Sequence, residues 1–242
     1  MGGLTFNNTE KIDFEKYSKI INEIKCEGFI EDDDFMCPFR LGNKNTFGDI
    51  DLIVYDTDKF VNFFDFSNKI KEVKIIPLFE ERFNLYSKHI LTSDNIQIDL
   101  LKSWNIESME ITRAFYSYSF ANIFLKCLTN IVSRNLKLSY LGMFCSSNKY
   151  VIPNGVKYIQ VDASTRLIID CVYIFELLDL DYNKFLNGFA DEEELLDYFS
   201  KSKYFNQIEF KFNSKFKHDY SRLKPFANLV DKGLIQVKNF IN

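Results

Sequence analysis

Arg40-Leu41-Gly42-Asn43-Lys44-Asn45-Thr46-Phe47-Gly48-Asp49-Ile50-Asp51-Leu52-Ile53-Val54 is the stretch on which the reading of this chain turns. It opens apolar, breaks at glycine and polar residues, and resumes as an apolar run that carries two aspartates. Ile50, Leu52 and Val54 alternate with Asp49 and Asp51, so a strand puts both carboxylates on one face and the apolar residues on the other. Two like charges that close repel and lose hydration. A folded chain keeps such a pair when a cation neutralises it or when both point into water. The apolar run predicts a central strand, which favours the cation.

A third acid, Asp99, lies in Asn95-Ile96-Gln97-Ile98-Asp99-Leu100-Leu101, a second apolar strand pattern. Residues 83–91 and 96–101 read as two strands joined by Ser93-Asp94-Asn95, which is good turn chemistry. That hairpin is expected to bring Asp99 beside Asp49 and Asp51 in an antiparallel sheet. Upstream, residues 13–25 carry apolar residues at helical spacing, with Asp13 as N-cap and Gly28 as stop. The acid run at 31–34 reads as a solvated loop, because consecutive acids cannot all converge on one ion. Residues 35–41 are predicted to form a strand. Residues 56–71 are predicted to form a helix.

Gly42-Asn43 ahead of the acid pair, with a short polar loop between, suits backbone N–H groups turned toward a phosphate. On these residues, 41–43 through 49–51 with Asp99 on a later strand, the chain resembles the polymerase-beta-type nucleotidyltransferase superfamily. That family's pattern is an apolar residue, Gly, then Gly or Ser, a loop, and an aspartate pair with one residue between. A third acid follows on a neighbouring strand. Asn43 stands where Ser or Gly is usual, and the loop is short. Residues 135–144 and 202–206 more loosely resemble uncharacterised nucleotidyltransferase-like proteins of phages and large viruses.

The resemblance implies a metal-dependent, template-independent nucleotidyltransferase. Asp49, Asp51 and Asp99 would be its catalytic residues and metal ligands, holding two Mg²⁺ ions, with Mn²⁺ as the alternative. Gly42, Asn43 and Lys44 would contact the phosphates of an NTP. The expected acceptor is an RNA 3′ end, tRNA being one option, with pyrophosphate released. Transfer to a small molecule or a protein side chain is the alternative, and a non-catalytic nucleotide- or RNA-binding scaffold is the third reading. All three acids are present, which counts against the last.

The implied fold class is α+β: a small mixed-sheet nucleotidyltransferase core at 1–104, then a mainly helical domain with a short hairpin at 105–242. In that second part, residues 120–132 and 165–180 have helical periodicity. Residues 136–144 and 150–161 read as strands, and Asp191-Glu192-Glu193-Glu194 as an acidic helix start. The stretch 201–224 is lysine-rich with interleaved aromatics. Lys203, Lys211, Lys215, Lys217 and Arg222 there, with Lys137 upstream, are candidate nucleic-acid contacts. Lys126, Arg134 and Lys137 are also candidate phosphate contacts, alongside Lys44.

Composition limits the alternatives. The 242 residues carry a net charge of −4, which argues against a protein that coats nucleic acid electrostatically. The 26 Phe and 13 Tyr are read as core residues rather than base-stacking platforms. The 5 cysteines are scattered without a Cys-x-x-Cys, and there are only 2 histidines, so neither a zinc site nor a disulfide framework is expected. Cys37 and His89 are read as structural. No basic–apolar leader or bilayer-length apolar run is seen, so a cytoplasmic protein without membrane partners is expected. The sequence sets no oligomeric state.

Overall fold

A computed structural model describes residues 5–7, 9–26, 34–77, 86–118, 121–212 and 236–239. The chain divides into two compact units. One comprises Met1–Pro38 and Asn43–Arg113, the other Phe39–Gly42 and Ala114–Asn242. The division after Arg113 falls beyond the Trp104 boundary read from the sequence. Just after that boundary Asn105 caps a 3₁₀ turn, Ile106–Ser108, through a reciprocal side-chain and backbone pair with Ser108.

The first unit holds β1 (Ile12–Asp13), α1 (Phe14–Cys26), β2 (Phe35–Met36), β3 (Thr46–Phe47), β4 (Ile50–Val54), α2 (Thr57–Phe66), β5 (Ile70–Pro77), β6 (Tyr86–Thr92) and β7 (Gln97–Lys102). Helix α3 (Met109–Tyr116) runs across the division. Asp13 caps α1 by accepting from the Lys16 N–H at 2.8 Å. Asp56 caps α2, accepting from the N–H groups of Asp58 and Lys59. That helix stops at Phe66, short of the expected 71, because Asn68 takes a left-handed backbone and turns the chain into β5.

Five strands form a mixed sheet in the order β2-β4-β7-β6-β5. Strands β6 and β7 are antiparallel, as the hairpin reading expects, but β4 and β7 run parallel. The expected antiparallel placement of the acidic strands is therefore corrected. α2 and the β5–β6 hairpin lie between them in sequence and supply the crossover that a parallel pair needs. Ile50, Leu52, Val54, Ile90, Ile98 and Leu100 on one face of this sheet share a core with Tyr17 and Ile24 of α1 and Phe60, Phe63 and Phe64 of α2. The predicted strand over 35–41 is reduced to Phe35–Met36. Of the acid run, 31–33 lie outside the described residues. Asp34 is buried and its Oδ2 accepts from Lys59 Nζ at 2.5 Å, not the solvated loop residue expected.

The second unit contains α4 (Ala121–Val132), β8 (Leu136–Ser139), β9 (Gly142–Ser146), β10 (Tyr158–Gln160), β11 (Thr165–Ile168), α5 (Cys171–Leu177), α6 (Tyr182–Asn187), α7 (Glu192–Ser200), β12 (Glu209–Phe212) and β13 (Gln236–Asn239). Its antiparallel sheet, in the order β10-β11-β9-β8, is larger than the short hairpin expected. Residues 136–144 are not one strand but a tight hairpin, turning at Tyr140-Leu141. The helix expected over 165–180 begins only at Cys171, capped by Asp170, and 165–168 is a strand. Asp191 caps α7 and Glu192, Glu193 and Glu194 form its first turn, the acidic helix start read from the sequence.

Aromatic rings fill this unit. Phe124 stacks on Phe199 with centroids 4.8 Å apart, and Phe175 and Phe185 meet at the same separation. All four are fully buried, in keeping with core rather than base-stacking roles. Cys127 and Cys145 are free thiols. No helix among the described residues is long and apolar enough to cross a membrane.

Candidate metal centre

Side chains alternate along a strand, so the face of β4 and β7 opposite the helical core carries Asp51 and Asp99. The two are direct partners in the parallel register, and Asp49 precedes β4 on the same parity. One carboxylate oxygen from each of Asp49, Asp51 and Asp99 lies within 4.8 Å of the others. Asp99 is buried, while Asp49 and Asp51 are half-buried. The structure thus assembles the three acids that the sequence singles out.

The electrostatics follow from this crowding. Burial, reinforced by the charges of Asp49 and Asp99, raises the Asp51 carboxyl from 3.8 to about 8, and Lys44 partly offsets the rise. At neutral pH a group so placed holds a proton unless a cation replaces it. The acceptors are hard oxygens, the kind that binds Mg²⁺, Mn²⁺ or Ca²⁺ rather than soft metals. A further acceptor lies alongside. Gln97 is 1% exposed, its Nε2 donates to Asp99 Oδ1 at 2.7 Å, and its Oε1 is buried with no donor among the described residues. A buried acceptor with no donor is costly, and a cation-bound water would satisfy it. The donor set and this orphaned oxygen both fit a hard divalent ion.

His89, read from the sequence as structural, belongs to the same cluster. It stands opposite Asp99 in the β6–β7 register, with its Nδ1 2.6 Å from Asp99 Oδ1 and its Nε2 2.9 Å from Ser87 Oγ. Thr5 Oγ1 is 3.4 Å from Nδ1. The sequence held the signal: a hairpin turning at 93–95 pairs residues whose numbers sum to 188, hence 89 with 99 and 90 with 98. Gln97, two residues before Asp99 on the same face, was equally legible and was missed.

The residues expected to bind phosphate are placed differently from one another. The Gly42 N–H, expected to face a phosphate, donates to the Phe189 carbonyl at 2.9 Å. Residues 39–42 are held within the second unit. The Phe39 N–H donates to Ser117 Oγ at 2.8 Å and its carbonyl accepts from the Tyr118 N–H at 2.9 Å. A Cβ on Gly42 would lie 3.3 Å from the Ala190 Cα and carbonyl oxygen, so close backbone packing accounts for the glycine. Asn43 is exposed. Lys44 belongs to the first unit, its Nζ 5.1 Å from the centroid of buried Phe47, and its charge acts on Asp51.

Lys137, a candidate nucleic-acid contact, and Lys126, a candidate phosphate contact, are exposed in the second unit, and Lys126 Nζ sits 4.8 Å over the Phe115 ring. Burial and the neighbouring Lys137 charge lower the Lys126 pKa. Arg134 is also exposed. Lys203 is engaged by Asp179, whose carboxylate accepts its backbone N–H at 2.7 Å and lies 3.5 Å from its Nζ. The side chain of Lys211 lies outside the described residues, as do Lys215, Lys217 and Arg222 entirely. No protein-family model matches this chain, and no curated protein matches it.

Proposed function

We propose that this protein is a divalent-metal-dependent nucleotidyltransferase that moves a nucleoside monophosphate from an NTP to a hydroxyl, with an RNA 3′ end as the acceptor. The observation that carries the reading is the convergence of Asp49, Asp51 and Asp99 within 4.8 Å on one face of a mixed sheet whose other face is closed by helices. The resemblance of 41–51 and Asp99 to the polymerase-beta-type superfamily supports the same chemistry.

Asp49 and Asp51 would hold two Mg²⁺ ions and Asp99 one of them. Ions bound there would lower the pKa of the attacking hydroxyl and neutralise charge on the triphosphate. The hydroxyl would release its proton to solvent and its oxygen would bond to the α-phosphorus as the bond from that phosphorus to the bridging oxygen breaks and pyrophosphate leaves. Asp49 and Asp51 orient the reacting groups, and Lys44, close enough to act on Asp51, adds positive charge for the phosphates. The size of the second unit and the lysine-rich stretch 201–224 support a polymeric acceptor.

Purified protein incubated with Mg²⁺, each labelled NTP in turn and a mixture of small RNAs tests this directly. Label on RNA that disappears in Asp49→Asn and Asp51→Asn supports the reading. Label on the protein itself or on small molecules moves the acceptor, and undiminished transfer in both variants removes the triad from the chemistry.

A further inference from the structure

We infer that His89 is a positioning residue of the candidate metal centre: it ties one oxygen of Asp99 to strand β6 and leaves the other for the cation. The inference rests on the metal reading of the three aspartates and adds to it.

Asp99 Oδ1 lies 2.6 Å from His89 Nδ1 and 2.7 Å from Gln97 Nε2. A carboxylate only accepts, so Nδ1 carries the proton and donates it. In the neutral ring Nε2 is then the acceptor, and Ser87 Oγ, 2.9 Å away, donates to it. Ser87, His89, Gln97 and Asp99 are each less than 10% exposed. The imidazole is therefore held at both nitrogens, and neither can bind a metal without breaking a buried hydrogen bond. Two donors occupy Oδ1, whereas Oδ2 receives no hydrogen bond among the described residues. A ligating carboxylate needs this kind of outer support, because an unsupported side chain rotates away from a crowded anionic cluster.

The order Ser87–His89–Asp99 is also that of a nucleophilic triad. Two observations favour positioning. Ser87 is only 3% exposed, and Asp99 shares its site with two further carboxylates. A triad would not require that crowding.

Titration of Mn²⁺ into the metal-free protein, followed by calorimetry and by the Mn²⁺ spin-resonance signal, tests the inference. Asn and Gln both fill the space of the imidazole, but the Asn amide nitrogen reproduces Nδ1 and the Gln nitrogen reproduces Nε2. His89→Asn is expected to keep Mn²⁺ affinity within about threefold, whereas His89→Gln and His89→Ala lose about 10- to 100-fold. The thermal melts of metal-free His89→Asn and His89→Gln should coincide, separating positioning from folding. Wild-type affinity in His89→Gln and His89→Ala overturns the inference while leaving the metal centre intact, provided Asp51→Asn abolishes binding. Absence of Mn²⁺ binding in the wild type removes the metal reading and this inference with it. Covalent capture of Ser87 by a fluorophosphonate would also overturn it, in favour of a nucleophilic triad.

Discussion

Asp51 stands directly opposite Asp99 across the parallel pair β4–β7, two carboxylates facing each other in the register of one sheet. In a metal-free protein this is an unfavourable arrangement, relieved by a proton or a cation. Asp51→Asn removes one of the repelling charges and keeps the shape. The variant is expected to fold, to be more stable than the metal-free wild type by on the order of 1–3 kcal/mol at pH 8, and to lose nucleotidyl transfer by a factor of about 10³ or more. Thermal denaturation alongside label transfer checks both halves.

The pH dependence has a definite sign. Asp51 titrates near 3.8 when unfolded and near 8 when folded, so between these values the folded protein binds the extra proton. The contribution of Asp51 to the stability of the metal-free protein is therefore full below about pH 4 and is lost as pH rises through about 8. Cation binding expels that proton, so apparent Mg²⁺ affinity rises with pH up to about 8 and then levels. Calorimetry in buffers of different ionisation enthalpy measures the proton released.

Lys44 acts on Asp51 through charge alone, pulling its pKa down. Lys44→Ala is expected to move the midpoint of the metal-binding pH profile to higher pH and to weaken NTP binding. The same calorimetric series on the variant detects the first effect, and nucleotide titration the second. An unchanged midpoint would contradict the placement of Lys44 beside the acids.

Two glycines separate packing from backbone strain. At Gly142, φ is 138° and an added Cβ would lie 2.5 Å from the Ile168 carbonyl oxygen. Gly142→Ala should cost about 3 kcal/mol or more. Gly42 meets only the 3.3 Å approach to Ala190, so Gly42→Ala should cost about 1 kcal/mol. Urea denaturation of the two variants ranks them.

The local features were readable from sequence. Asp13, Asp56 and Asp191 sit where side-chain caps belong, and the alternation around Asp49 and Asp51 gives their common face. The hairpin turn at 93–95 fixes His89 opposite Asp99, a consequence that the sequence reading left undrawn. The parallel direction of β4 and β7 was not legible, because strands so far apart in sequence take their relative direction from the crossover packed between them. Nor was the placement of 39–42, which depends on Ser117, Tyr118 and Phe189, all distant in sequence. Residues 165–168 illustrate a third limit: short apolar runs satisfy helical and strand periods alike, and pairing with β9 and β10 decides.

The central claim is that Asp49, Asp51 and Asp99 together hold the divalent ions that engage an NTP. Crystals grown with Mn²⁺ and a non-hydrolysable NTP, with anomalous scattering recorded at the manganese edge, test it most directly. The account predicts manganese ligated by Asp49 and Asp51, with Asp99 on one of the ions and the triphosphate bound against them. Bound nucleotide with manganese elsewhere, or with no manganese at the three carboxylates, would contradict it.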